Sequence, residues 1–108
     1  MDAYIKKIYD MLYSPIVTPY NLLENAKLEN YSYVKYYKED HEMVAEMACE
    51  ISGEGKKIFY YFFDSKDYLQ RICVSNKGTK EVVFSRDVAV KNAKEAYYLA
   101  KEAFEQVV

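Results

Sequence analysis

Two consecutive stretches decide the fold: Glu42-Met43-Val44-Ala45-Glu46-Met47-Ala48-Cys49-Glu50-Ile51, and, after Ser52-Gly53-Glu54-Gly55, Lys57-Ile58-Phe59-Tyr60-Tyr61-Phe62-Phe63. The first can be read two ways. As a helix it gathers Met43, Val44, Met47, Ala48 and Ile51 on one face, with Asp40 as cap and Gly53 as stop, and Met, Ala and Glu favour that state intrinsically. As a strand it points Met43, Ala45, Met47, Cys49 and Ile51 one way and Glu42, Val44, Glu46, Ala48 and Glu50 the other. A helix would stack Glu42, Glu46 and Glu50 in a like-charge row four residues apart, which is unfavourable. The short Gly-containing link suits a hairpin into the next strand. The segment is expected to be a strand, and the continuous apolar run at 57–63 a central strand covered at least partly on both faces.

Outward from this centre the pattern stays β. Tyr31 to Lys38 alternates and is rich in Tyr and Val, with Glu39-Asp40-His41 as a polar break. Asp64-Ser65-Lys66-Asp67 reads as a turn. Tyr68 to Ser75 follows as a strand, with Tyr68, Ile72 and Val74 on one face and Leu69, Arg71 and Cys73 on the other. Asn76-Lys77-Gly78 is a tight-turn signal, because Asn and Gly tolerate positive φ. Thr79 to Ser85 is its partner strand.

Helices flank the strands. Tyr4, Ile5, Ile8, Met11 and Leu12 recur at helical spacing over residues 2–13, and Ser14-Pro15 ends the segment. Thr18-Pro19 opens a second, short helix with Leu22, Leu23 and Ala26 as its apolar face, stopping near Asn30. From Val88 to about Gln106, Ala89, Ala93, Ala96, Tyr97, Ala100, Phe104 and Val107 line one face of a long helix that Asp87 or Ser85 can cap. Ala96 and Ala100 are expected against the sheet. Short links between consecutive strands imply antiparallel pairing. The expected fold is a single α+β domain over residues 1–108. It has two layers: an antiparallel four- or five-stranded meander, with the N-terminal helices and the long C-terminal helix packed on one face.

Composition narrows the function. With 108 residues, a net charge of -2 and 30% charged residues, the chain has no long-range pull on DNA, RNA or an acidic membrane. No apolar stretch approaches membrane-spanning length, and Met1 to Lys6 lacks a secretory layout, so a cytoplasmic location is expected. Cys49 and Cys73 are expected as reduced, packed residues. His41 is the one histidine, set in the turn Glu39-Asp40-His41-Glu42; it has no second His or Cys pair at ligand spacing and is read as solvated. Ser52 to Lys57 lacks the spacing of a phosphate-binding loop. No catalytic set can be assembled, no cofactor is implied, and the protein is expected not to be an enzyme.

The distinctive feature is 13 tyrosines and no tryptophan. Tyr combines an apolar ring with a hydrated end and is enriched at interfaces. Helices of these lengths are too few to cover both faces of the sheet, so one Tyr-rich face would be left as a contact surface. Tyr hydroxyls and Lys stems can equally keep such a face soluble without a partner. Tyr33, Tyr36, Tyr37, Tyr60, Tyr61, Leu69 and Arg71 are the candidate binding residues. Tyr61 and Leu69 head the set, with Tyr60 replacing Tyr61 if the central strand has the opposite parity. The expected function is non-catalytic protein–protein binding, of the inhibitor, immunity or phage anti-defence type, a comparison of size and character. The partner is another protein or a second copy as a homodimer. The alternative is a nucleic-acid-binding accessory module stacking bases on the aromatic face, disfavoured by dispersed cations and by Glu42, Glu46 and Glu50.

Overall fold

The segment 42–51 is a strand, and it sits inside one sheet. The structure, a computed structural model, describes residues 3–6 and 17–107. Five strands run β1 (Tyr31–Glu39), β2 (Glu42–Ile51), β3 (Gly55–Phe63), β4 (Leu69–Asn76) and β5 (Thr79–Ser85). They form a single antiparallel sheet in the order β1-β2-β3-β4-β5. A 3₁₀ helix (Asn21–Lys27) precedes the sheet, and helix α1 (Arg86–Val107) follows it directly. The architecture is therefore an α+β meander. Residues 3–6 are helical, and the remainder of the helix expected over 2–13 lies outside the described residues.

Turn chemistry sets the register. Asp40, in the two-residue link between Glu39 and Glu42, has φ 55°. At the β4–β5 hairpin Lys77 and Gly78 have φ 53° and 84°, the two positive values of the turn that matches strand twist. The Asp64 carboxylate accepts the backbone N–H groups of Lys66 (2.9 Å) and Tyr68 (3.0 Å), folding the β3–β4 link.

The second helix differs from the α-helical reading. Thr18 and Asn21 hold one another reciprocally. The Thr18 N–H donates to Asn21 Oδ1 (2.8 Å), and the Asn21 N–H donates to Thr18 Oγ1 (3.4 Å). The turn that follows is 3₁₀, with three residues per turn, so Leu22 and Asn25 face the sheet. Leu23 and Ala26, expected on the apolar face, are exposed.

Bulges divide side chains between the two faces. Between Tyr31 and Tyr33, between Leu69 and Arg71, and between Val82 and Phe84, the pairing register skips one residue. Each extra residue flips the alternation beyond it. Tyr31 therefore joins Val34 and Tyr36, while Leu69 joins Ile72 and Phe84. Val82 joins Cys73 instead of Phe84. On this first face Leu22, Ala45, Met47, Phe63 and Leu69 form the main core under the 3₁₀ helix. Burying Phe63 completely removes a large apolar side chain from water, which stabilises the fold by roughly 2–3 kcal/mol.

Helix α1 contacts β4 and β5. Its less exposed stripe is Arg86, Ala89, Val90, Ala93, Tyr97 and Ala100, with Ala93 the most buried of the aliphatic ones. Ala96, expected against the sheet, is exposed because the stripe steps by four from Ala93 to Tyr97. The free thiols Cys49 and Cys73 lie on β2 and β4 with β3 between them, about 10 Å apart across the sheet and about 10 Å along it, on opposite faces, beyond disulfide reach.

Candidate functional site

The second face of the sheet carries Tyr33, Lys35 and Tyr37 from β1, and Glu42, Val44 and Glu46 from β2. It also carries Tyr60 and Phe62 from β3, Arg71 and Cys73 from β4, and Lys80 and Val82 from β5. The register places all of these on one side. Val44, Phe62 and Cys73 are its buried centre, with Tyr37 and Tyr60 packed against them. Among the described residues neither the 3₁₀ helix nor α1 adds a side chain to that cluster.

Polar groups fix the rings around this centre. The Tyr33 hydroxyl donates to Glu46 Oε2 (2.7 Å) and the Tyr37 hydroxyl to Glu46 Oε1 (2.9 Å). Lys35 Nζ approaches the same carboxylate at 3.4 Å and stands over both tyrosine rings. Glu46 carries a charge on a half-apolar sheet because three partners share it. Burial pushes its carboxyl pKa up, but hydrogen bonds from Tyr33, Tyr37 and Lys35 outweigh burial and hold it below the ordinary value. The same contacts act on the phenols. Tyr33 is pushed up to about 12, first by its hydrogen bond to Glu46. Tyr37 is pushed up to about 12, first by burial and then by that bond.

The other side of the face repeats the device with arginine. Arg71 Nη1 and Nη2 reach Glu42 Oε2 and Oε1 at 3.0 and 2.8 Å, a bidentate pair, and the guanidinium lies 3.9 Å from the centroid of the Phe62 ring. Lys80 Nζ lies 3.9 Å from the Tyr60 ring centroid. Cation–ring contacts of this kind contribute about 0.5–1 kcal/mol each at exposed sites.

The residues proposed from sequence divide between the faces. Tyr33, Tyr37, Tyr60 and Arg71 converge on the second face. Tyr36 and Tyr61 lie on the first, packed against the core, and the Tyr36 hydroxyl donates to the Pro19 carbonyl at 2.8 Å. Leu69 is in the core at 1% exposure, carried there by the bulge beside it, so it lies on no open face. Sequence reading missed Glu42, Glu46, Lys35 and Lys80 as members of the site. Strict alternation from Val44 to Glu46 and across to Tyr37 and Lys35 was the signal that could have found them.

Other groups stay apart. His41 is exposed at the end of the β1–β2 hairpin, beside a cleft of about 550 Å³ that Asp40, Glu42, Asp64 and Asp67 also line. Cys49 lies eight residues further along β2, about 26 Å in an extended strand, so the two form no nucleophile–base pair. Burial pushes the Cys49 thiol up, which makes it a poor nucleophile. Among the described residues no group of three His, Cys, Asp or Glu side chains is placed to hold a metal ion. No described helix is long and apolar enough to cross a membrane.

Fold and site together define an antiparallel α+β meander with one packed face and one face of charged, hydrogen-bonded aromatics. No protein-family model, curated protein or solved structure matches this chain.

Proposed function

We propose that the protein acts without catalysis by binding another protein through the second sheet face, as an inhibitor or neutralising partner. The observation that carries this reading is the pre-fixed constellation of Tyr33, Tyr37, Tyr60, Phe62 and Arg71. Their rings and guanidinium are held by Glu46, Glu42 and Lys80 before any partner arrives. Tyr and Arg dominate the energetic centres of interfaces, and fixing them in advance lowers the entropy lost on binding.

The cation pattern favours protein over nucleic acid. Arg71 is neutralised by Glu42 and Lys35 by Glu46, so the aromatic centre offers phosphates little free positive charge. One feature favours the alternative nucleic-acid reading. A cleft of about 340 Å³ at the far end of the face is lined by Lys56, Lys57, Lys77, Ser32 and Ser75.

Affinity capture from the native host and sedimentation, each at low and high salt, test the proposal with wild type and with Tyr60→Ala checked for native circular dichroism. A protein partner, or self-association, that survives high salt and weakens at least about tenfold in Tyr60→Ala supports it. A monomer that captures no protein but retains single-stranded DNA or RNA, lost as salt rises, transfers the assignment to the lysine cleft.

A further inference from the structure

Arg86 opens α1 and is only 6% exposed. Its Nε donates to the Leu69 carbonyl at 2.6 Å, which fixes the plane of the guanidinium between α1 and the start of β4. Nη1 and Nη2 are both shielded from solvent and have no hydrogen-bond partner. The Tyr68 ring stands 5.6 Å from Cζ. A guanidinium carries its charge permanently in a protein. Burying it with the donors of both terminal nitrogens unmet is costly unless an acceptor arrives.

The protein's other arginine shows what is missing. Arg71 meets Glu42 through both terminal nitrogens. Arg86 has no such carboxylate: its neighbour Asp87 is exposed, and no ion pair joins Arg86 to a described acid. The far end of α1 is about 33 Å away along a 22-residue helix. Arg86 is the first residue of α1, and a helix N-terminus favours negative charge.

We propose that Arg86, at the start of α1, is the receptor for a small oxyanion, carboxylate or phosphate, whose two oxygens accept from Nη1 and Nη2. The Tyr68 ring flanks the guanidinium. The site is independent of the aromatic face and does not rest on the function proposed for it.

The two arginines give two Nε–Hε signals in a nitrogen–proton NMR spectrum, assigned with Arg71→Lys. Wild-type protein is titrated with sodium acetate, sodium phosphate and, at matched ionic strength, sodium chloride. The expected result is a saturable shift of the Arg86 signal and of the Asp87 to Ala89 amides with acetate, phosphate or both, while Arg71 follows chloride. Acetate alone identifies a carboxylate receptor, and phosphate alone a phosphate receptor. Thermal melts of Arg86→Met should then lose the oxyanion-specific rise in Tm, with apparent affinity at least tenfold weaker. An Arg86 signal that moves no more with acetate or phosphate than with chloride overturns the proposal, and this readout does not depend on the variant folding.

Discussion

Replacing Glu46 with Gln tests the polar lattice of the second face at its centre. The substitution keeps the shape and one acceptor oxygen but removes the charge that Tyr33, Tyr37 and Lys35 share. A hydrogen bond to a charged group contributes about 1.5–3 kcal/mol and a neutral one about 1 kcal/mol. Tyr37, half-buried, loses most of that difference, whereas Tyr33 is 37% exposed and water screens its bond. Lys35 is exposed and adds little. The net expectation is a loss of about 1–2 kcal/mol at neutral pH, or roughly 5–15 °C in Tm for a domain of this size.

The pH dependence gives a sharper test of the same lattice. The folded Glu46 carboxyl lies below its ordinary pKa, so its contribution is present above about pH 4.5 and is lost as pH falls through the folded value. Tyr33 and Tyr37 lie at about 12 in the folded protein against 10 when unfolded, so their contribution is complete below pH 10 and is lost as pH rises toward 12. In Glu46→Gln, Tyr33 should return most of the way toward 10, because the Glu46 bond is its main cause. Tyr37 should keep part of its rise, because burial is its main cause. Tyrosinate absorbance followed in alkaline titrations, with Tyr33→Phe and Tyr37→Phe for assignment, reads both. Unchanged titrations together with an unchanged Tm would refute the shared-carboxylate account.

Three further outcomes are expected. Phe63→Ala, at a side chain with no exposure, should cost about 3–5 kcal/mol by chemical denaturation, and a loss under 1 kcal/mol would remove Phe63 from the core. Ala93→Glu should cost several kcal/mol by burying an unpaired charge, whereas Ala96→Glu should leave Tm nearly unchanged; equal effects would misplace the buried stripe of α1. Lys77→Asn should raise stability by a few tenths of a kcal/mol, since Asn tolerates the positive φ of this turn better than Lys; a clear loss would mean a different turn.

Local sequence signals ordered the elements. Period-two alternation with Tyr and Val marks β1, the glutamate row weighs against a helix at β2, and Asn76-Lys77-Gly78 marks the β4–β5 hairpin, where the positive φ falls on Lys77 and Gly78 and not on Asn76. These are local effects, complete within a few residues, so they are visible without knowing the rest of the chain. The face each side chain occupies was decided only in the folded sheet. Three single-residue bulges move Tyr31, Leu69 and Phe84 to the 3₁₀-helix side and leave Val82 with Cys73. A bulge depends on how two distant strands meet, and alternation within one strand does not record it. The same holds for Glu46. Its spacing reads as one member of a charged row, and only the pairing of β1 with β2 brings two phenols and an ammonium to its carboxylate. In the sequence Arg86 stands before the helix expected from Val88; that it opens α1 and is buried against Leu69 is a tertiary event, set where α1 meets the start of β4.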